Sequence, residues 1–123
     1  MQYILIVALG GALGAVSRYG VSHLVASQLS SYLIGTYIVN VSGSFLVGLL
    51  EGLASKYPVF PTEIRLFLTV GFLGSYTTFS AFSLATVQLF QKGEVQIAAL
   101  NIFASIVVGV LVAVIGMIIG RAI

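Results

Sequence analysis

The chain has 123 residues, enough for a single domain, and 59% of them are hydrophobic while only 7% are charged. A soluble domain usually carries about 25% charged residues, so this composition excludes a soluble enzyme and indicates one domain, 1–123, inside a lipid bilayer. The five lysines and arginines are too scattered to form a nucleic-acid-binding patch, and the absence of cysteine excludes disulfides and thiolate metal sites.

Uncharged stretches predict four membrane-spanning helices. Crossing the hydrocarbon core of a bilayer takes about 20 apolar residues. The stretches between charged or turn-forming residues place the spans at about 3–26, 33–54, 63–90 and 95–120. The polar residues 27–31 predict the first turn, Pro58 and Pro61 interrupt the second connection, and residues 92–94 predict a tight third turn.

An even number of spans puts both ends of the chain on the same side of the membrane. Lys56, Arg65 and Arg121 lie on that side and Lys92 lies on the other. The positive-inside rule therefore favours a cytoplasmic location for both ends. Because the bias is only three cations to one, the sequence is also compatible with insertion in both orientations.

The first span contains Arg18, a cation that costs at least ~2.5 kcal/mol near the bilayer centre. Two interpretations remain open: its long side chain extends to the membrane interface, or it is a fixed charge that attracts anions. Gly10 and Gly14 in this span, and Gly116 and Gly120 in the fourth, have the small-xxx-small spacing of closely packed membrane helices. Ordinary helix packing is the favoured interpretation of these glycines.

Polar residues recur at helical spacing in the second and fourth spans. The second span carries Thr36, Asn40 and Ser44 at i, i+4 and i+8, and the fourth carries Asn101 and Ser105 at i and i+4. An asparagine side chain offers two N–H donors that need acceptors. For Asn40, an interhelical hydrogen bond and a place along an ion pathway are both consistent with the sequence. For Asn101 the interhelical bond is favoured.

The third span contains two glycines followed by a cluster of hydroxyl groups, in the segment 71–83 with the sequence GFLGSYTTFSAFS. This segment predicts a helix break near residues 74–78, which a membrane tolerates only where protein or water satisfies the freed carbonyls. Broken helices are where membrane proteins often hold ions. Phe79 and Phe82 share one helical face with Thr86 nearby, and on composition alone their favoured role is packing.

Acidic residues are absent from the middle of every span, because Glu51, Glu63 and Glu94 all lie near span ends. The chain therefore lacks the intramembrane carboxylate that a proton-driven exporter needs. The remaining polar groups are an arginine, amide and hydroxyl donors, and aromatic rings with electropositive edges. Such groups suit a small anion.

Three glycine-containing motifs occur along the first three spans. They are GGxxGAxxRY at 10–19, GTxxVNxxG at 35–43 and GFxGxxTTFSxF at 71–82. Their order and spacing resemble those of the Fluc (CrcB) family of bacterial fluoride channels. The resemblance implies a passive channel that exports fluoride across the bacterial cytoplasmic (inner) membrane. It also implies an antiparallel, dual-topology homodimer of four-helix subunits, with two pores along the subunit interface.

The resemblance further implies roles for individual residues. The positions that match the family's pore lining are Phe79, Phe82, Asn40, Ser80, Thr36, Ser105 and Arg18. The phenylalanines would contribute ring edges, the asparagine an amide donor, and the arginine a charge near the pore entrance. Gly74 and Thr77 match positions whose backbone carbonyls, contributed by both subunits, hold a structural Na⁺ at the dimer centre.

The chain departs from the family's pattern at three positions. Ala81 replaces a threonine, Ala85 replaces a glutamate, and Asn101 lies where an aromatic residue is often found. Because some family members work as pairs of distinct subunits, one alternative is a subunit of a heterodimeric fluoride channel. A small proton-coupled multidrug exporter is a second, less favoured alternative. A purely structural subunit is disfavoured, since it would not need polar residues in several spans.

Overall fold

The computed structural model describes all 123 residues and is entirely helical. The first two spans are α1 (Gln2–Leu29) and α2 (Tyr32–Lys56). The third span, Thr62–Gln91, is built from four segments. They are α3 (Thr62–Arg65), a π-helical segment (Leu66–Leu73), α4 (Gly74–Tyr76) and α5 (Phe79–Gln91). The fourth span is α6 (Val95–Ala122).

The prediction of four helices long and apolar enough to cross a membrane is confirmed. The first turn, however, is shorter than the predicted residues 27–31. Helix α1 continues through Leu29, and only Ser30 and Ser31 separate it from α2. Polar Ser27 stays in the helix because its hydroxyl donates to the Leu24 carbonyl (2.7 Å) of the preceding turn.

The other two connections are short, as predicted. Two prolines lie between α2 and α3, and Arg65 at the end of α3 forms an ion pair with Glu51 of α2 (2.7 Å). The turn before α6 contains Gly93, whose positive φ of 78° costs glycine no steric strain. The Glu94 N–H then donates to the Leu89 carbonyl (2.9 Å). Short connections therefore pack each span against its neighbours.

Glycines form the closest helix contacts. Helix α2 packs most extensively against α6, and α1 packs against the π-helical segment. Gly116 of α6 lies directly against the Phe45 carbonyl of α2, and Gly14 of α1 lies directly against the Phe72 carbonyl. The packing role predicted for these glycines is confirmed, since only a residue without a side chain lets the backbones approach this closely.

We expect Gly116→Ala to destabilise the fold, because a Cβ there would collide with the backbone of Phe45 and Leu49. Moving packed backbones apart costs roughly 1–3 kcal/mol. Gly109→Ala in the same helix is the matched control, since its Cβ would meet only the Ser44 hydroxyl at 3.7 Å. Thermal unfolding in detergent, followed by circular dichroism, should show a lower midpoint for Gly116→Ala only. Equal midpoints would contradict the close packing of α2 and α6.

The core of the single chain is small. Only 17 of 123 residues are buried. Val39 of α2 packs with Leu73 and Tyr76 beside the break in the third span, and the Tyr76 hydroxyl is hydrogen-bonded to Ser42 (3.0 Å). Many large apolar side chains of α1 and α6 are exposed instead. Such a surface suits lipid or another protein chain and not water.

Candidate functional site

The break in the third span is held by Asn40 of α2. The Asn40 Nδ2 donates to the Thr78 carbonyl (3.0 Å), and its Oδ1 accepts the Thr78 N–H (2.8 Å). Thr77 (ψ 156°) and Thr78 (φ −149°) have extended backbones, so the helical hydrogen-bond pattern ends with the Thr77 N–H and does not include the Thr78 N–H. The half-buried amide satisfies the Thr78 backbone from the neighbouring helix. The predicted break at residues 74–78 therefore occurs at its C-terminal end.

Thr78 also starts the helix after the break. Its Oγ1 accepts the Ala81 N–H (3.1 Å) as an N-cap and lies 3.1 Å from the Ser80 hydroxyl. Thr78 is not among the site residues predicted from the sequence. The signal that could have found it is a hydroxyl residue immediately before a restarting helix.

Backbone carbonyls just before the break lack helical donors. The Thr77 N–H still bonds to the Leu73 carbonyl (3.0 Å), but the Thr78 N–H is used by Asn40. The carbonyls of residues 74–77 are thus the last carbonyls of a helix, which need other partners. Together they carry partial negative charge, as the C-terminal end of a helix does.

A groove of about 360 Å³ lies beside the break, and we call it the Asn40 groove. It is lined by residues of α2, the third span and α6, and none of them is charged. The predicted site residues that it brings together are Asn40, Phe79, Phe82, Ser105, Gly74 and Thr77. Its other polar residues are Ser44, Thr69 and Thr78. Amide and hydroxyl groups, helix-end carbonyls and two aromatic rings therefore share one cavity.

The two phenylalanines lie side by side, as their spacing predicts. The ring centroids of Phe79 and Phe82 are 5.6 Å apart and the ring planes are inclined by 45°. Phe82 is half-buried, whereas 80% of Phe79 is exposed in the single chain. A large ring exposed beside a polar groove indicates a contact surface.

Arg18 and Thr36 lie in a second cavity of about 750 Å³, which we call the Arg18 groove. It shares Thr78 with the Asn40 groove and also contains Lys92 and Glu94. Arg18 is half-buried and makes no ion pair within the chain. With two cations and one acid, the groove carries a positive charge that attracts anions.

Two departures from the family's pattern also map to the Arg18 groove. Ala81 and Ala85, where the resemblance led us to expect a threonine and a glutamate, both line it, and neither lines the Asn40 groove. Glu94 is the only acid among the lining residues, so it can balance only one of the two cations.

The remaining polar residues have structural hydrogen bonds. Ser80 is exposed, lines neither groove and bonds to Thr78. Asn101 is buried, and its Nδ2 donates to Thr86 Oγ1 (3.0 Å). The interhelical bond favoured for Asn101 is thus confirmed. From the sequence, Thr86 is predictable only as a neighbour of the phenylalanines, because its hydrogen-bond partner belongs to another helix.

Comparisons with known proteins agree with this architecture. A family model described as CrcB-like protein, Camphor Resistance (CrcB), matches residues 5–117. Relatives from Magnetococcus marinus, Thermus thermophilus and Agrobacterium fabrum are 44%, 45% and 43% identical to this chain. These alignments cover 95%, 99% and 98% of this chain and 96%, 98% and 98% of the respective relatives. Each of the three relatives is named fluoride-specific ion channel FluC.

Proposed function

Because the chain belongs to the CrcB family, we propose that it is a fluoride-selective channel through which cytoplasmic fluoride leaves the cell passively. The family consists of ion channels and not enzymes. The family match gives no support to the alternative of a proton-coupled multidrug exporter. With four membrane-spanning helices the chain is a multi-pass membrane protein, and we place it in the bacterial cytoplasmic membrane.

The observation that carries this proposal is the Asn40 groove, where hydrogen-bond donors and aromatic rings meet without a charged side chain. Fluoride is small and strongly hydrated, so a pathway must replace its lost water with other favourable contacts. One Asn40 Nδ2 hydrogen is used by Thr78, which leaves the second for an ion. The ring edges of Phe79 and Phe82 add positive partial charge. Several weak contacts would hold the ion without trapping it.

We assign the Arg18 groove to the entrance of the pathway. Its net positive charge would concentrate anions near the membrane surface. Because Thr78 lines both grooves, an anion in the Arg18 groove lies next to the residue that Asn40 holds at the break. Thr36 would add a hydroxyl to this part of the pathway.

Two copies of the chain would form an antiparallel, dual-topology homodimer. In support, Phe79 is largely exposed and the Asn40 groove is open in the single chain, so a second chain would cover both. A two-fold symmetric interface presents the same surface twice, so one groove per chain would produce two pores. The small difference in loop charge is compatible with insertion both ways.

The carbonyls of Gly74 and Thr77 are the groups that we propose for a structural Na⁺ at the dimer centre. Both residues line the Asn40 groove at the broken helix end, where carbonyls lack helical donors. Helix-end carbonyls are typical ligands of Na⁺ in membrane proteins. The ion would supply positive charge that neutralises these helix ends.

Liposomes that contain only this purified chain are expected to release fluoride rapidly and chloride slowly, as measured with ion-selective electrodes. Empty liposomes provide the control for leakage. Absence of fluoride release would contradict a self-sufficient homodimer. A FluC relative would then be added to the same liposomes. Release above that of the relative alone would identify one subunit of a heterodimeric channel, and no increase would reject the fluoride channel.

A further inference from the structure

Asn101 and Thr86 form an interhelical link that ends on two residues of the Asn40 groove. Asn101 Nδ2 donates to Thr86 Oγ1 (3.0 Å), and Thr86 Oγ1 donates to the Phe82 carbonyl (2.9 Å). On its other side, Asn101 Oδ1 accepts the Ser105 hydroxyl (3.5 Å). Neither Asn101 nor Thr86 lines the groove, but Phe82 and Ser105 do.

The link is the single side-chain hydrogen bond between α5 and α6. Asn101 and Thr86 are both buried, with exposed fractions of 9% and 7%. A hydrogen bond between buried polar groups is costly to leave unmade, so the two side chains remain paired. Residues 82 and 86 are four apart, so their side chains lie on one helical face. The link therefore fixes α5 against α6 one helical turn after Phe82.

We propose that Asn101 and Thr86 are positioning residues that hold the Phe82 ring in the anion pathway. The inference rests on the proposed function, because it gives Phe82 a place in conduction. Asn101 accepts from Ser105 and donates to Thr86, and the Thr86 hydroxyl in turn donates to the Phe82 carbonyl, so the chain of bonds connects the two groove residues across α5 and α6. An aromatic residue at 101 could not make this amide link, so the link is tied to this chain's departure from the family's pattern.

The experiment compares variants of Thr86 that are close in shape. Thr86→Val removes the hydroxyl and keeps the branched shape, whereas Thr86→Ser keeps the hydroxyl. Losing one buried hydrogen bond should reduce fluoride efflux about tenfold in Thr86→Val, while Thr86→Ser should stay within about twofold of the unsubstituted chain. Asn101→Leu should match Thr86→Val.

The double variant Thr86→Val with Asn101→Leu separates positioning from stability. It removes both polar partners of the interhelical bond, so neither Asn101 nor Thr86 leaves the other unpaired, and the Ser105 hydroxyl loses the same acceptor as in Asn101→Leu. A loss of efflux caused by an unpaired buried group at 86 or 101 would therefore be relieved in the double variant. A deficit caused by the lost link would persist at the level of the single variants, because the two residues act as one unit. Recovery of efflux in the double variant would overturn the proposal.

A second readout does not depend on flux. With 4-fluorophenylalanine in place of Phe82, ¹⁹F NMR should show one sharp line in the otherwise unsubstituted chain and with Thr86→Ser. Thr86→Val should broaden or split that line, since the ring would take several positions. An unchanged line and unchanged efflux with Thr86→Val would overturn the inference. If the unsubstituted chain conducts no fluoride either alone or together with a FluC relative, the proposed function fails, and the NMR line still decides whether the link positions Phe82.

Discussion

Replacing Phe79 or Phe82 with isoleucine is expected to reduce fluoride efflux about 100-fold, which corresponds to about 2.7 kcal/mol of lost ion stabilisation. Isoleucine keeps an apolar side chain at the groove but has no ring edge to offer the anion. Both rings line the Asn40 groove, with centroids 5.6 Å apart. Removing either ring would deprive the anion of one of the favourable contacts that replace its water.

The matched control for this result is Phe90→Ile, the same substitution in the same helix. Phe90 is exposed and lines neither groove, so its ring is not on the proposed pathway. Size-exclusion chromatography in detergent should give the same elution volume for all three variants, which excludes loss of assembly as the cause. Normal efflux through both groove variants would remove the ring edges from the mechanism.

Asn40→Asp is expected to have a comparably large effect, because it acts on both the pathway and the helix break. The substitution replaces the donor to the Thr78 carbonyl with a carboxylate oxygen that repels it. It also places a negative charge in a groove proposed to carry an anion. We expect fluoride efflux to fall at least about 100-fold, since an unpaired charge in a half-buried site costs several kcal/mol.

The control for Asn40→Asp is Gln96→Glu, another change from amide to carboxylate. Gln96 is exposed near the start of α6 and lies in neither groove. Fluoride efflux through the Gln96→Glu variant should equal that of the unsubstituted chain. If fluoride efflux with Asn40→Asp equals that of the control, Asn40 does not contribute to the anion pathway. Its role would then be limited to its contact with the Thr78 backbone.

The helices were predictable because bilayer thickness sets the length of apolar sequence that a span needs. The predicted first turn at residues 27–31 was wrong at its start. The Ser27 hydroxyl donates to the Leu24 carbonyl within the same helix, so this polar residue does not end α1. The break was predictable as well, since a glycine and hydroxyl cluster cannot remain unsatisfied in lipid.

The division of the site residues between two grooves was not predictable from motifs. Arg18 and Thr36 line one groove, Phe79 and Phe82 line the other, and Ser80 lines neither. Spacing along one helix indicates which residues share a face. It does not indicate which face of a second helix they meet, because that depends on how the glycine contacts bring the helices together.

Composition and motif spacing by themselves determined that the chain lies in a lipid bilayer, how many times it spans it, where the third span breaks and to which family the chain belongs. Only the tertiary structure decided that Asn40 pairs with both backbone groups of Thr78, 38 residues away, and that Asn101 bonds to Thr86 in a neighbouring helix. Periodicity reports on neighbours within about one helical turn. A hydrogen bond between two helices depends on their relative placement, which the packing of the whole chain sets.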